Sequence, residues 1–543
     1  MARQGDQYDF IVVGAGSAGC VLANRLSEDG KHRVLLIEAG PKDTNLITKI
    51  PLTAGLAYYW KAINWNYEIA PQKHMDNRSI AWPRGKILGG SSTINGMMYM
   101  RGNHADYDTW RQSGLNGWGF EDVLPYFKRS EGHADRSDAF HGTGGPLRVV
   151  AAKGDHELYR AFLGSAESLG HPRNQDFNGA NQEGLGPYDF NIRDGRRESS
   201  ATAFLRPAQN RPNLEIWTNA QAQNLILEDR RAIGVCVARG QVRQNVYASQ
   251  EVVLASGALG SPQLLELSGI GDPDVLQAAG VETVHALPGV GKNLHDHLGV
   301  YLTYKCNKPI TLYGFFRPDK ALLAFLQAYF LRSGPATFVP LEVGGFLKTR
   351  AELEIPDIHI TFVPGLNLET TRSGQGQHGY LINFYQLRPH SRGTSHITTS
   401  RASDAPRMDP NYLSDPADMR CMRDGVRLAR AIGEASPLAD YNAGEISPTA
   451  DVQTDDQIDA WVRASANTIF HPVGTCRMGA DAASVVDGEL KVRGITGLRV
   501  ADASVMPEII GGNTSAPTIM IAEKCADMML GKPALPRANL EKV

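Results

Sequence analysis

The sequence predicts a mixed α/β (α+β) fold, with a Rossmann-like domain interleaved with a second domain built on a mostly antiparallel sheet. Three observations predict it. The chain opens on an apolar strand, a glycine-rich turn and a helical pattern over residues 8–26. Two further glycine-rich runs follow at residues 83–110 and 257–271. Between residues 298 and 464 the pattern changes to alternating stretches such as "PDIHITFV", "GYLINFYQLRP" and "TSHITTS", the period-two signature of strands.

In the opening unit, residues 10–13 are all apolar, as suits the centre of a parallel sheet. Gly14, Gly16 and Gly19 follow at G-x-G-x-x-G spacing, with Ser17 and Ala18 between them, and a helical pattern runs on to Leu26. A second strand, residues 34–37, ends at Glu38 and Ala39. Glu38 lies about 20 residues past the last glycine, where a carboxylate accepts hydrogen bonds from a ribose. The glycines let backbone N–H groups approach a pyrophosphate at the helix N-terminus. The unit therefore reads as a dinucleotide site, but the motif alone does not separate NAD from FAD.

At 543 residues the chain is too long for one simple core. Residues 1–154, 195–297 and 465–534 carry the glycine-rich motifs and form one discontinuous nucleotide-binding domain. Residues 155–194 and 298–464 form the other. The 42% hydrophobic and 21% charged content is that of a soluble globular protein, and a net charge of −3 gives no case for nucleic acid. Six cysteines without C-x-x-C spacing read as reduced thiols in a cytoplasmic protein. The N-terminus has no apolar h-region, so no signal peptide is expected. The longest apolar stretch, residues 321–331, is too short to be a transmembrane segment. It reads as a buried or interface helix, with a peripheral membrane contact as the alternative.

The second glycine-rich run, "PRGKILGGSSTINGMMYMRGNHADYDTW", and the third, "GALGSPQLLELSGIG", leave backbone bare enough to lie against a flat ring or a phosphate. With the opening fingerprint, "LPGVGKNLHDHL", "HPVGTCRMG" and "GLRVADASVMPEIIGGNTSAPTIMIAEK", they span nearly the whole chain. In order and separation they resemble the glucose–methanol–choline (GMC) oxidoreductases, most of all the bacterial choline-dehydrogenase-like and aryl-alcohol-type members. The resemblance implies FAD as cofactor. Gly14, Gly16, Gly19 and Glu38, flanked by Ser17, Ala18 and Ala39, would hold its ADP half. Gly90, Ser91, Asn95, Gly96, Met97 and Met98 would line its pyrophosphate and ring, and Asp502 and Ala503 would return to it. At the adenine the family often offers valine, where this chain has Ala222. Some relatives tether the flavin through a histidine just before the asparagine of the second run; Ile94 stands there, so a non-covalent flavin is expected.

The segment "NTIFHPVGTCRMG" raises the question of what His471 does. The resemblance implies alcohol oxidation, with hydride passing from carbon to flavin N5 while a base takes the hydroxyl proton. Histidine suits that role near neutral pH. It pairs His471 with Asn513, which would orient the alcohol oxygen. Phe470 would form an apolar wall. Asn513 and Thr514 open a terminal helix, whose N-terminus would face the flavin pyrimidine and stabilise its negative charge. The other readings of His471 are weaker: a metal ligand lacks a second ligand pair in range, so no metal is expected, and a Cys476–His471 nucleophile has only adjacency behind it. The "NLHDHL" run reads as a structural turn.

An aromatic or medium-chain aliphatic primary alcohol suits an apolar cavity. A choline-type dehydrogenase is the alternative, with Glu342 as a candidate carboxylate for the cation. A hydroxynitrile-lyase-like enzyme with a non-cycling flavin is another. Oxygen or a quinone-type acceptor would reoxidise the flavin, with Ile469 as a residue that tunes oxygen access.

Overall fold

The computed structural model describes residues 7–316, 318–366 and 377–540. Its first sheet runs Leu214–Trp217, Val34–Ile37, Gln7–Val13, Val242–Leu254, Arg231–Arg239 and Gln221–Glu228, with Leu498–Val500 also paired to Val242–Leu254. Pairing is parallel from Leu214–Trp217 through to Leu498–Val500 and antiparallel at the other end. Ile11, Val12, Leu35 and Leu36 are fully buried, as expected of strands covered on both faces. The helix Ser17–Leu26 packs on this layer and against the helix Ser515–Met529.

Val242–Leu254 has two roles. Its first half forms a meander with Arg231–Arg239; its second half pairs in parallel with both the opening strand and Leu498–Val500. The second pairing brings the end of the chain beside its beginning: Ala501 N–H donates to Leu254 O and Ala255 N–H to Val13 O. Asp502 thus emerges beside the Gly14 turn, at the carboxyl edge of the parallel strands, the usual ligand crevice of open α/β sheets.

The second sheet has the order Asn442–Ser447, Leu298–Cys306, Gly379–Gln386, Ile358–Val363, Val343–Leu347 and Gly184–Pro187, with Asn467–Thr468 also on Leu298–Cys306. All its pairs are antiparallel. Of the three alternating stretches, two form its centre. "TSHITTS" instead pairs with Arg407–Asp409 in a separate ribbon. The alternation sorts two buried faces rather than core from solvent. His359, Thr361, Leu381, Asn383 and Tyr385 face a cavity, while Phe384 lies against the helix Pro416–Glu434. A Cβ on Gly425 of that helix would stand 2.3 Å from the Phe384 ring.

The apolar stretch 321–331 lies in the helix Pro318–Leu331. Expected as a buried or an interface helix, it is buried only at Ala324 and Ala328, against Ile50, while Leu322, Leu323, Leu326, Phe330 and Leu331 are exposed. Among the described residues no helix is long and apolar enough to cross a membrane.

Candidate active site

A cavity of about 610 Å³ lies between the carboxyl edge of the first sheet and the inner face of the second. Its wall is made by Gly14, Gly16, Ser17, Ala18, Glu38, Ala39 and Ala222, by Gly90, Ser91, Asn95, Gly96, Met97 and Met98, by Asp502 and Ala503, and by His471, Asn513 and Thr514. Segments from the beginning, middle and end of the chain therefore meet on one space. Gly19 is the exception among the expected residues. It lies outside the wall, where a Cβ would stand 1.7 Å from Gly14 O. Its place is to let helix and turn touch, not to hold a ligand.

Backbone approaches set the cradle. Gly14 has φ +100°, and a Cβ there would meet Ala255 O at 2.6 Å; Gly90 has φ +52°, and its Cβ would meet Gly16 Cα at 2.7 Å. Both positions need glycine. Glu38 accepts from Ala15 N–H at 2.9 Å and Gly40 N–H at 2.8 Å, so it pins the glycine turn as well as lining the wall. Burial pushes its carboxyl up to about 7, against the pull of those two donors. Asp502 accepts from Gly257 N–H and the Ser261 hydroxyl, at 2.8 and 2.6 Å, fastening the C-terminal segment to the third glycine-rich run.

The terminal helix begins at Ser515, and Gly531 beyond it has φ +62°. The Thr514 side chain makes no capping bond. The first-turn N–H groups at the cavity thus keep their capacity for an acceptor. A cavity lined by bare glycine backbone and by an uncapped helix N-terminus fits FAD. Ile94 lines the cavity and offers no atom for a covalent tether.

His471 is held from three sides. Its backbone N–H donates to Asp296 Oδ1 at 2.6 Å. Its Nδ1 lies 3.0 Å from Nδ1 of His297, and its Nε2 lies 3.1 Å from Asn513 Nδ2. The backbone before it is left-handed, with Phe470 at φ +67°, a conformation a bulky residue keeps only under surrounding constraint. Arg84 donates to Phe470 O at 2.8 Å, and Tyr58 stacks on the Phe470 ring. Burial, then His297, Arg84 and His359, hold the His471 imidazole well below its ordinary value, so it is neutral. Asn513 Oδ1 is buried without a partner.

The "HDH" run, expected as a structural turn, takes part in the site. His295 does serve the turn, accepting from Ile509 N–H at 2.9 Å. Asp296 is a hub that accepts from the Tyr412 hydroxyl and the Trp82 indole as well as from His471. His297 Nε2 lies 3.0 Å from Leu387 O, so it carries the hydrogen and donates it. That leaves His297 Nδ1 as an acceptor for Nδ1–H of His471, and assigns the free lone pair of His471 to Nε2. Sequence reasoning missed His297. The available signal was two imidazoles flanking a carboxylate inside the otherwise apolar "NLHDHLGVYL".

Cys476 is fully buried with its thiol pushed well above the ordinary range, chiefly by burial; it supplies no thiolate. Glu131, His133 and His141 cluster closely enough to ligate a cation. Arg101 already donates to Glu131 at 2.7 Å, and His141 spans Glu131 and Asp176 at 3.2 and 2.9 Å. The protein's own cations occupy that cluster.

A dinucleotide cradle, a neutral imidazole and an amide converging on one cavity define a flavin-dependent oxidoreductase that acts on hydroxyl-bearing carbon. Family models described as GMC oxidoreductase match residues 8–299 and 389–522. The chain belongs to the GMC oxidoreductases, and its cofactor is FAD. It is 45% identical to the alcohol dehydrogenase [acceptor] of Pseudomonas putida over 97% of this chain and 96% of that one. It is 42% identical to the mitochondrial choline dehydrogenase of Mus musculus over 98% of this chain and 91% of that one. Among solved structures, the pyridoxine 4-oxidase from Mesorbium loti aligns with TM-score 0.87 and 34% identity, covering 95% of this chain and 98% of that one.

Proposed function

We propose that the protein oxidises a neutral, largely apolar primary alcohol to its aldehyde, with His471 as proton acceptor and Asn513 orienting the hydroxyl. The observation that carries this reading is the convergence of His471 Nε2 and Asn513 Nδ2, 3.1 Å apart at one end of the cavity. An alcohol oxygen that takes the place of their direct contact accepts from the amide while its proton points at the imidazole lone pair. As the O–H bond breaks, Nε2 takes the proton. Nδ1–H stays on His297, whose acceptor nitrogen offsets the charge that develops. FAD bound in the cavity supplies the acceptor for the hydrogen and electron pair that leave the carbinol carbon. Tyr385 and Leu381 of the second sheet, with Phe470 just past its edge strand, give the cavity apolar walls that disfavour water beside the reacting carbon.

Neutrality of the substrate is supported by the wall. Its carboxylates are Glu38 and Asp502, and both bind backbone N–H groups. Glu342, the candidate counter-ion for choline, lies outside the wall and accepts from Gly154 N–H at 3.2 Å. A buried quaternary ammonium without such a partner is costly. The electron acceptor, oxygen or a quinone, meets the flavin past Ile469, which lines the cavity. Six unpaired cysteines support a cytoplasmic location.

The test is anaerobic mixing of the yellow holoenzyme with benzyl alcohol, 1-octanol and choline in turn. The apolar alcohols should bleach the flavin absorption far faster than choline. Bleaching by choline alone would establish the choline-type reading. No bleaching by any alcohol would leave the hydroxynitrile-lyase-like reading in its place.

A further inference from the structure

Nine of the thirteen exposed large apolar side chains among the described residues fall within two short segments, residues 46–59 and 322–331. On the helix Pro318–Leu331, Leu322, Leu323, Leu326 and Phe330 form one outward stripe, with exposures of 40–71%. Leu52, Leu56 and Tyr59 present a second outward row at spacings of four and three residues, 39–71% exposed. The segments adjoin, because Ile50 packs into the joint against Ala324, Ala328 and Ala336. Single exposed leucines need no explanation, but a concentration of this kind does.

Charge identifies what covers it. Residues 46–61 and 318–332 carry Lys49, Lys61, Lys320 and Arg332 against a single acid, Asp319, in a chain whose net charge is −3. Arg332 shares its charge with Asp194, 3.8 Å away; the lysines, Lys61 and Lys320 exposed and Lys49 half-buried, edge the two segments as a basic rim in sequence. Aromatic and aliphatic side chains within such a rim match the acyl boundary and anionic headgroups of a bilayer. The same segment also borders the active site. Gly55 and Tyr58 line the cavity, and Gly55 is exposed, so the cavity reaches the surface at this face.

We propose that this face seats the enzyme peripherally on an anionic lipid bilayer, with the cavity mouth turned toward the acyl phase. An apolar alcohol or a lipid-soluble acceptor then enters from the phase into which it partitions. The docking claim stands apart from the alcohol reading, because vesicle binding is measured without substrate.

The experiment is co-sedimentation of the holoenzyme with sucrose-loaded vesicles, of phosphatidylcholine alone or with one-quarter phosphatidylglycerol. Binding is expected with the anionic vesicles and should weaken in high salt. The triple variant Leu323→Glu/Leu326→Glu/Phe330→Glu, and separately Lys49→Glu/Lys61→Glu/Lys320→Glu, should each lower the partition coefficient by at least about tenfold. Activity on a water-soluble alcohol should persist in both and report that they fold. Wild type remaining in the supernatant with every vesicle, or variants that bind as well as wild type, would overturn the proposal. So would light scattering that finds a wild-type dimer, indifferent to vesicles, which the apolar variant splits; a second copy would then be the occupant.

Discussion

His297 and His471 face each other through their Nδ1 atoms at 3.0 Å, and two nitrogens at that distance share one hydrogen. With His297 donating its Nε2–H to Leu387 O, the shared hydrogen belongs to His471. Burial drives the His297 imidazole down to about 3, so it stays a neutral acceptor across the working range. His297 is a positioning residue: it fixes the tautomer in which the base lone pair faces Asn513.

His297→Ala should lower the rate of flavin reduction about 10–100-fold, the loss seen when a metal-bound imidazole is deprived of the partner that orients it. It should also move the acid limb of the pH profile. His297→Gln, whose amide oxygen accepts from Nδ1–H, should recover most of the rate. Equal loss in both variants with an unmoved profile would reduce His297 to a packing residue.

The groups that touch substrate should cost more. His471→Ala should slow reduction about 10²–10⁴-fold, the range of a general base, with FAD retained. Asn513→Ala should cost about 10²–10³-fold, as for one donor to a developing oxyanion. Stopped-flow absorbance under anaerobic conditions measures both. Near-normal reduction in His471→Ala would remove it as the base.

These residues differ in how far the sequence disclosed them. Gly14, Gly90, His471 and Asn513 sit in short runs whose residue types reveal their chemistry, and all four line the cavity. His297 acts on a partner 174 residues away, a pairing created by Asn467–Thr468 joining Leu298–Cys306 in the second sheet. No local pattern encodes that register. Gly19 shows the converse: its motif position was plain, but its partner is the neighbouring turn rather than the ligand. The alternation in the second sheet marked strands correctly and left open that both faces are covered, because period two sorts faces without saying what lies over them.

The depressed imidazole of His471 has a measurable sign. A base held well below its ordinary value stays unprotonated as pH falls, so activity persists where an unperturbed histidine, with pKa about 6.5, would already be protonated. The acid limb of kcat/KM should therefore lie below that value. A limb at or above it would mean that burial and the neighbouring cationic and imidazole groups do not act on His471 as described.

Gly90→Ala should yield protein without its yellow colour. The added Cβ would sit 2.7 Å from Gly16 Cα, in a left-handed backbone, with backbone rather than a flexible side chain opposing it. The ratio of flavin to protein absorbance in the purified variant measures the loss, and a normal ratio would mean the two glycine loops part without consequence. In wild type, acid precipitation should release the flavin into the supernatant, since Ile94 offers no tether; colour kept in the pellet would contradict this.

Acid should also unfold the protein through its buried imidazoles. His295, His297 and His359 are each driven by burial to about 3, against about 6.5 in the unfolded chain. A depressed folded value means that the unfolded state binds the extra protons. The stability these groups contribute is therefore fully present above about pH 6.5 and is lost progressively as pH falls toward 3. His359 is the one to test. Its Nε2 lies 2.7 Å from the Tyr188 hydroxyl and its Nδ1 contacts Tyr385, and Gln can occupy a comparable volume without titrating. The melting temperature of wild type should fall steadily from pH 6.5 to 4, and His359→Gln should show a shallower decline over the same interval, even if it melts lower at pH 7. Parallel declines would place the acid sensitivity in the carboxylates instead.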